Sequence, residues 1–304
     1  MLRSSTVLIV VLVTTLTSAQ TYKVARTPWG DPDLTGTYVN DNEYATPLER
    51  PEPFAGRRRE DVTPGVYLAR ARDLAIAGLA PGPRGPDDWW LSNLDLARRS
   101  HPWLIVDPPD GRIPALTPAG KVRASQRVRS GFVGGPFDSP SDLNSLERCI
   151  TRGVPGSMIP VMYGNSYLIA QSPGVVVITY EIVHEARVIP LDGRPRLNAA
   201  IRQHMGDSRG RFDGDTLVVE TANFTTLGAY RASDAATLTI TERFRRVSAD
   251  RIEWTATISD PNTWVRPWTI ALPMTRTAQE SLPFECHEHN YGLANILRGA
   301  NQNP

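Results

Sequence analysis

The sequence predicts a mainly β protein: an antiparallel, lipocalin-like barrel, or a sandwich, in the C-terminal half, behind an N-terminal segment of short helices and extended loops. Three observations predict it. Apolar and polar residues alternate with a period of two through most of the chain after about residue 160. Of the 26 prolines, 18 lie in residues 1–160 and 8 in the rest, and a strand ladder excludes proline from its interior. Residues 206–221 (GDSRGRFDGDTLVVET) hold a polar turn, an Asp213-Gly214 turn and an alternating run at 216–221. Asp-Gly beside alternating apolar residues is a strong hairpin signal.

At 304 residues the chain fits one large β domain with an added segment. A 40% hydrophobic share supplies a core, and a net charge of +1 leaves no basic excess to collect the phosphates of a nucleic acid. Residues 1–19 read as a secretory signal, with Arg3, a short apolar run at 7–13 and the small residues Thr17-Ser18-Ala19. The run is shorter than the roughly 20 apolar residues a membrane span needs. The expected order is therefore a signal at 1–19, a Pro-rich segment at 20–160 packing on the barrel, and an antiparallel β domain at 161–304, in a periplasmic or secreted protein with no further membrane span. In an oxidising compartment the two cysteines, Cys149 and Cys286, read as one disulfide, against the alternative of two buried thiols.

In chain order, residues 27–36 (TPWGDPDLTG) form a turn-rich lead. Residues 61–79 have helical character, with Asp61 or Thr63 as cap and Pro64 in the first turn. Residues 118–129 predict a second helix capped by Thr117, and residues 139–150 a short third one. Strands are predicted at 166–171, 174–190 with a kink or break at 184–186, 216–221, 237–246, 251–259, 264–272 and 282–289.

Alternation assigns faces. Glu242 shares its face with Leu238, Ile240 and Phe244, and Arg266 shares its face with Trp264, Trp268, Ile270 and Leu272. His184 ends the face that carries Val176, Ile178, Tyr180 and Ile182. Charges on apolar faces are costly unless paired or wet. The functional reading is an interior site in which His184 carries a proton, Glu242 orients it and Arg266 clamps an anion. Tyr180, Trp254, Trp268 and His287 would bind the substrate. The bland reading is a structural Glu242–Arg266 pair, or charges at the barrel rim.

Other constellations are weaker. Glu285, His287 and His289 share a strand face in ECHEH, a loose metal-ligand grouping without the spacing of a known zinc motif. His204, Asp207 and Ser208 lack a nucleophile elbow, and a turn-stabilising Asp207 is the simpler reading. No dinucleotide or phosphate-loop fingerprint is present.

The motifs TPWGDPDLTGTY (27–38), ATPLERP (45–51), VDPPDGRIPALTP (106–118), ERCITRGVPGSMIP (147–160), HEARVIPLDGRPR (184–196), GDSRGRFDGDTLVVETANF (206–224), DPNTWVRPWT (260–269) and ECHEHNYGLANILRGA (285–300) span most of the mature chain. In them the protein resembles an uncharacterised family of secreted bacterial β-rich proteins. The resemblance implies export and a β-rich fold, and no particular activity. That family reads CHEGNY where this chain has CHEHNY, so His289 departs from the pattern and His287 is the better of the two histidines.

The expected function is acid–base chemistry without a cofactor, as a lyase or hydrolase, on a small, partly aromatic or apolar molecule in the barrel pocket. The alternative is a non-catalytic periplasmic ligand-binding protein using the same pocket, and a third reading is a structural envelope protein.

Overall fold

The computed structural model describes residues 22–40, 43–44, 46–69, 101–126, 137–161, 163–288 and 290–302. Ten strands form one sheet: β1 Gly36–Val39, β2 Ile105–Asp107, β3 Ser166–Ser172, β4 Val175–Tyr180, β5 Ala186–Pro190, β6 Asp207–Asp213, β7 Thr216–Ala222, β8 Thr239–Arg246, β9 Arg251–Ser259 and β10 Trp268–Arg276. Nine of them run in the order β5-β4-β3-β1-β10-β9-β8-β7-β6, every pairing antiparallel. This path curls into a nearly closed barrel. At the seam, Gly210 of β6 faces β5 and its neighbour: a Cβ added there would lie 2.7 Å from both Ile189 and Leu191. Glycine is what lets the two edges approach.

Alternation builds the barrel's interior. On β9, Ile252, Trp254, Ala256 and Ile258 are all fully buried, and on β10 so are Trp268, Ile270 and Met274. Their registers interlock, with Trp254 opposite both Phe244 and Leu272 and Ile258 opposite both Ile240 and Trp268. Each aliphatic side chain so buried contributes up to about 1.5–3 kcal/mol. The Asp213-Gly214 turn closes the β6–β7 hairpin as expected, with Gly214 at φ +59 and Asp213 paired to Thr216.

The N-terminal segment does more than pack on the barrel. β1 is inserted between β3 and β10, and β2 pairs with the other half of the same β10 edge. Both strands are too short to show as periodicity. Among its described residues the segment also carries the short helices α1 Pro64–Leu68 and α2 Pro118–Ser125; in α2 the Thr117 hydroxyl accepts the Gly120 N–H at 3.0 Å, the expected cap. The expected helix at 61–79 falls partly outside the described residues. That at 139–150 is a 3-10 turn, Pro140–Asp142, followed by further turns.

Two expected strands differ. Residues 264–267 lie outside the strand, with Trp264 in an isolated bridge to Leu116, because Pro267 cannot donate to a ladder and restrains Arg266 before it. Residues 282–288 form no strand, and a C-terminal helix, α3 Tyr291–Gln302, follows them. The stretch before Asp213-Gly214, read as a polar turn, forms β6 instead. A disulfide joins Cys149 to Cys286. Among the described residues no helix is long and apolar enough to cross a membrane.

Candidate functional site

The registers place Val39, Ser166, Tyr180, Ala186, Asp207, Ala222, Thr239, Ser259 and Trp268 at one end of the barrel. The segments around residues 149–160 and 224–238 pack at this end. Close backbone approach holds them there. A Cβ on Gly153 (φ +64) would overlap the Gly228 carbonyl oxygen, and one on Gly228 would overlap that of His204. Backbone atoms cannot swing aside as a side chain can. Gly228→Ala is therefore expected to lower stability by about 1–3 kcal/mol or more; a thermal midpoint equal to wild type would contradict this close packing.

Just inside this end lies a buried polar cluster. Arg187 of β5 reaches Glu242 of β8 through Nη1 to Oε2 at 2.5 Å and Nη2 to Oε1 at 3.2 Å, with the two side chains 2% and 0% exposed. Trp254 Nε1 donates to Glu242 Oε1 at 3.0 Å. The Arg187 guanidinium lies 6.0 Å from the centre of the Tyr180 ring. Burial works against the charged form of Arg187, but the Glu242 carboxylate outweighs it and holds the guanidinium protonated. Burial also pushes the Tyr180 phenol up, so it stays neutral, and its hydroxyl has no hydrogen-bond partner.

The expected constellation is thus corrected. Glu242, Tyr180, Trp254 and Trp268 do face inward and are buried. The partner of Glu242 is Arg187, not Arg266. Arg266 is exposed in the loop before β10, outside the strand whose alternation was extended to it. His184 is also exposed, ending the 3-10 turn Ile182–His184. Val183 and His184 there adopt φ 62° and 54°. This turn changes the parity of the inward face, from Val176, Ile178 and Tyr180 to Arg187 and Ile189. His287 is exposed in a turn, away from the barrel interior, and His289 lies outside the described residues. The interior site therefore keeps its aromatic residues and its carboxylate but neither its proton carrier nor its anion clamp.

The other sets do not assemble either. His204 Nδ1 bonds to the Thr225 hydroxyl at 2.7 Å, while Ser208 bonds to Thr221 at 3.0 Å. Among the described residues no three His, Cys, Asp or Glu side chains converge as a metal site.

Outside the barrel at the covered end is a cleft of about 480 Å³ that includes Arg123, Arg152, Tyr230 and Arg231 in its lining. Among the described residues three arginines and no carboxylate line it, and Asp234 Oδ2 lies 4.0 Å from Arg123 Nη1 just beyond the lining. Arg152 is held by Nη2 donating to the Ile159 carbonyl at 3.0 Å, and its Nη1 is buried with no partner. Burial lowers its pKa, against the nearby Tyr167, Tyr230 and Glu185. Glu185 accepts from the Thr151 hydroxyl at 2.9 Å and from the Arg152 backbone N–H at 3.4 Å, and burial raises its pKa. Arg123 is fixed by the Ala232 and Asn262 carbonyls and the Thr263 hydroxyl. Arg231 is exposed and stands over the Tyr230 ring at 5.6 Å, and Tyr230 in turn packs on Trp268 at 6.2 Å. Arg152 belongs to the quoted ERCITRGVPGSMIP motif, but nothing in its spacing separates it from a surface arginine.

No family model and no curated protein matches this chain.

Proposed function

We propose that the protein is an exported ligand-binding protein whose site is the arginine-lined cleft at the covered end of the barrel. Its ligand is a small, multiply charged anion, such as a phosphomonoester or a dicarboxylate. One observation carries the reading: among the described residues three guanidinium groups and no carboxylate line the cleft, and one of them, Arg152, keeps a buried donor without an acceptor. A buried, unpartnered charged donor is costly, and an anion relieves it. The volume lies within the range of small-molecule sites. Tyr230 already has Arg231 on it and Trp268 against it, so charge rather than ring stacking selects the ligand.

Acid–base catalysis inside the barrel is the weaker reading, because His184 and Arg266 lie outside and the interior arginine and carboxylate neutralise each other. Export is supported by the disulfide and by the leader-like residues 1–19.

Titration calorimetry of the purified protein with inorganic phosphate, succinate and acetate tests the proposal. The two multivalent anions should bind more tightly than acetate, and binding should weaken with added salt. Arg152→Met should weaken phosphate binding about tenfold or more, the loss of a charge-assisted bond. Equal affinity for all three anions, or wild-type phosphate affinity in a folded Arg152→Met protein, would count against it.

A further inference from the structure

A second cleft, of about 610 Å³, lies beside α1 and shares no residue with the first. Its lining includes Arg59, Tyr67, His101, Trp103 and Val106. Three buried polar atoms of these residues have no hydrogen-bond partner: Nε and Nη2 of Arg59, and Nδ1 of His101. Two of the three belong to one edge of one guanidinium. Nε and Nη2 point the same way, and that edge matches the two oxygens of a carboxylate.

We infer that this cleft is a separate binding site for a planar carboxylate of the aryl-acid type, held bidentately by Arg59 with His101 as a neutral hydrogen-bonding partner. Burial lowers Arg59 to about 10, so it remains a cation at neutral pH. Burial, together with Arg59 and Arg251, pushes His101 down to about 3, so it remains neutral. The nearby carboxylates that favour the Arg59 charge are Glu43, Glu253 and Glu60, in that order. Glu253 accepts from Arg245 at 3.0 Å, Glu43 from the Thr46 hydroxyl at 3.0 Å, and Glu60, itself on the cleft lining, lies 3.3 Å from Arg58. None of them makes a hydrogen bond to Nε or Nη2 of Arg59. The apolar body of the ligand has its own wall. Trp103 stacks on Phe54 at 6.1 Å and, with Tyr67 and Val62, forms a rigid buried cluster behind the cleft. Val106 and Pro64 stand exposed on the cleft lining.

Saturation-transfer NMR on the full chain, with benzoate and benzyl alcohol as probes, tests the inference, read together with the ring-nitrogen signals of His101. Benzoate should bind and shift the His101 nitrogens, and benzyl alcohol should bind more weakly. Arg59→Met should weaken benzoate about tenfold, and Arg152→Met should leave it unchanged. Should Arg59→Met not fold, Val106→Glu places a like charge on the cleft lining at an exposed position and should produce the same loss. Equal binding of the alcohol, unmoved His101 signals, or wild-type benzoate affinity in folded Arg59→Met or Val106→Glu protein would overturn it. Loss in Arg152→Met alone would assign benzoate to the other cleft and overturn it equally.

Discussion

Glu242→Ala is expected to destabilise the protein by about 3–5 kcal/mol, because it leaves Arg187 charged, buried and unpaired. Arg187 is 2% exposed and cannot turn to water without opening the seam between β5 and β6. The same substitution removes the acceptor of Trp254 Nε1, itself fully buried. Urea unfolding of the two proteins measures the difference, and a loss under about 0.5 kcal/mol, the range of ordinary surface changes, would contradict the structure. The double replacement Arg187→Met with Glu242→Leu separates the cost of a broken pair from the worth of the pair. Apolar groups of similar volume often match a buried ion pair, so most of the lost stability should return.

That pair also marks where the sequence was readable and where it was not. The inward face of 239–246 was legible because β8 is uninterrupted: Ile240, Glu242, Phe244 and Arg246 alternate and are all buried. The partner of Glu242 was not, because alternation carries information only within one strand. Between Tyr180 and Arg187 the chain makes a 3-10 turn with two left-handed residues, and the parity changes across it. The break, expected at 184–186, lies at 181–185, and its consequence for the following face needs the backbone angles. Arg266 failed for a related reason: its alternation with Trp268 crosses Pro267, and the strand begins only after that proline. β1 and β2 supply four and three residues, too few for a period to show, although β1 sits between two main strands. Arg152 and Arg59 are invisible in sequence for a different reason. Each is one arginine among many, and only the burial of its guanidinium distinguishes it.

The other large effect is expected from the disulfide. Cys149 and Cys286 are 137 residues apart in sequence, and the loop between them contains β3 through β10. Constraining a loop of that length in the unfolded chain stabilises the folded protein by about 5 kcal/mol in the chain-entropy model, with native strain reducing the figure. The Cys149→Ser/Cys286→Ser protein should therefore show a lower urea midpoint than the oxidised wild type, and reduced wild type should match the double variant. An unfolding free energy equal to oxidised wild type would contradict the expectation. The bridge acts locally as well. Without it, contacts holding the C-terminal segment include Asn290 on the Glu147 carbonyl at 3.0 Å, the Phe284 N–H on the Glu181 carbonyl at 3.2 Å and the Tyr163–Phe284 ring contact at 5.4 Å. Hydrogen exchange should accordingly rise first in α3 and around Cys149, ahead of the β8–β9–β10 ladders. Arg152 follows Cys149 by three residues in the segment that loses its anchor. Phosphate binding should then weaken at reductant levels where the barrel strands still resist exchange.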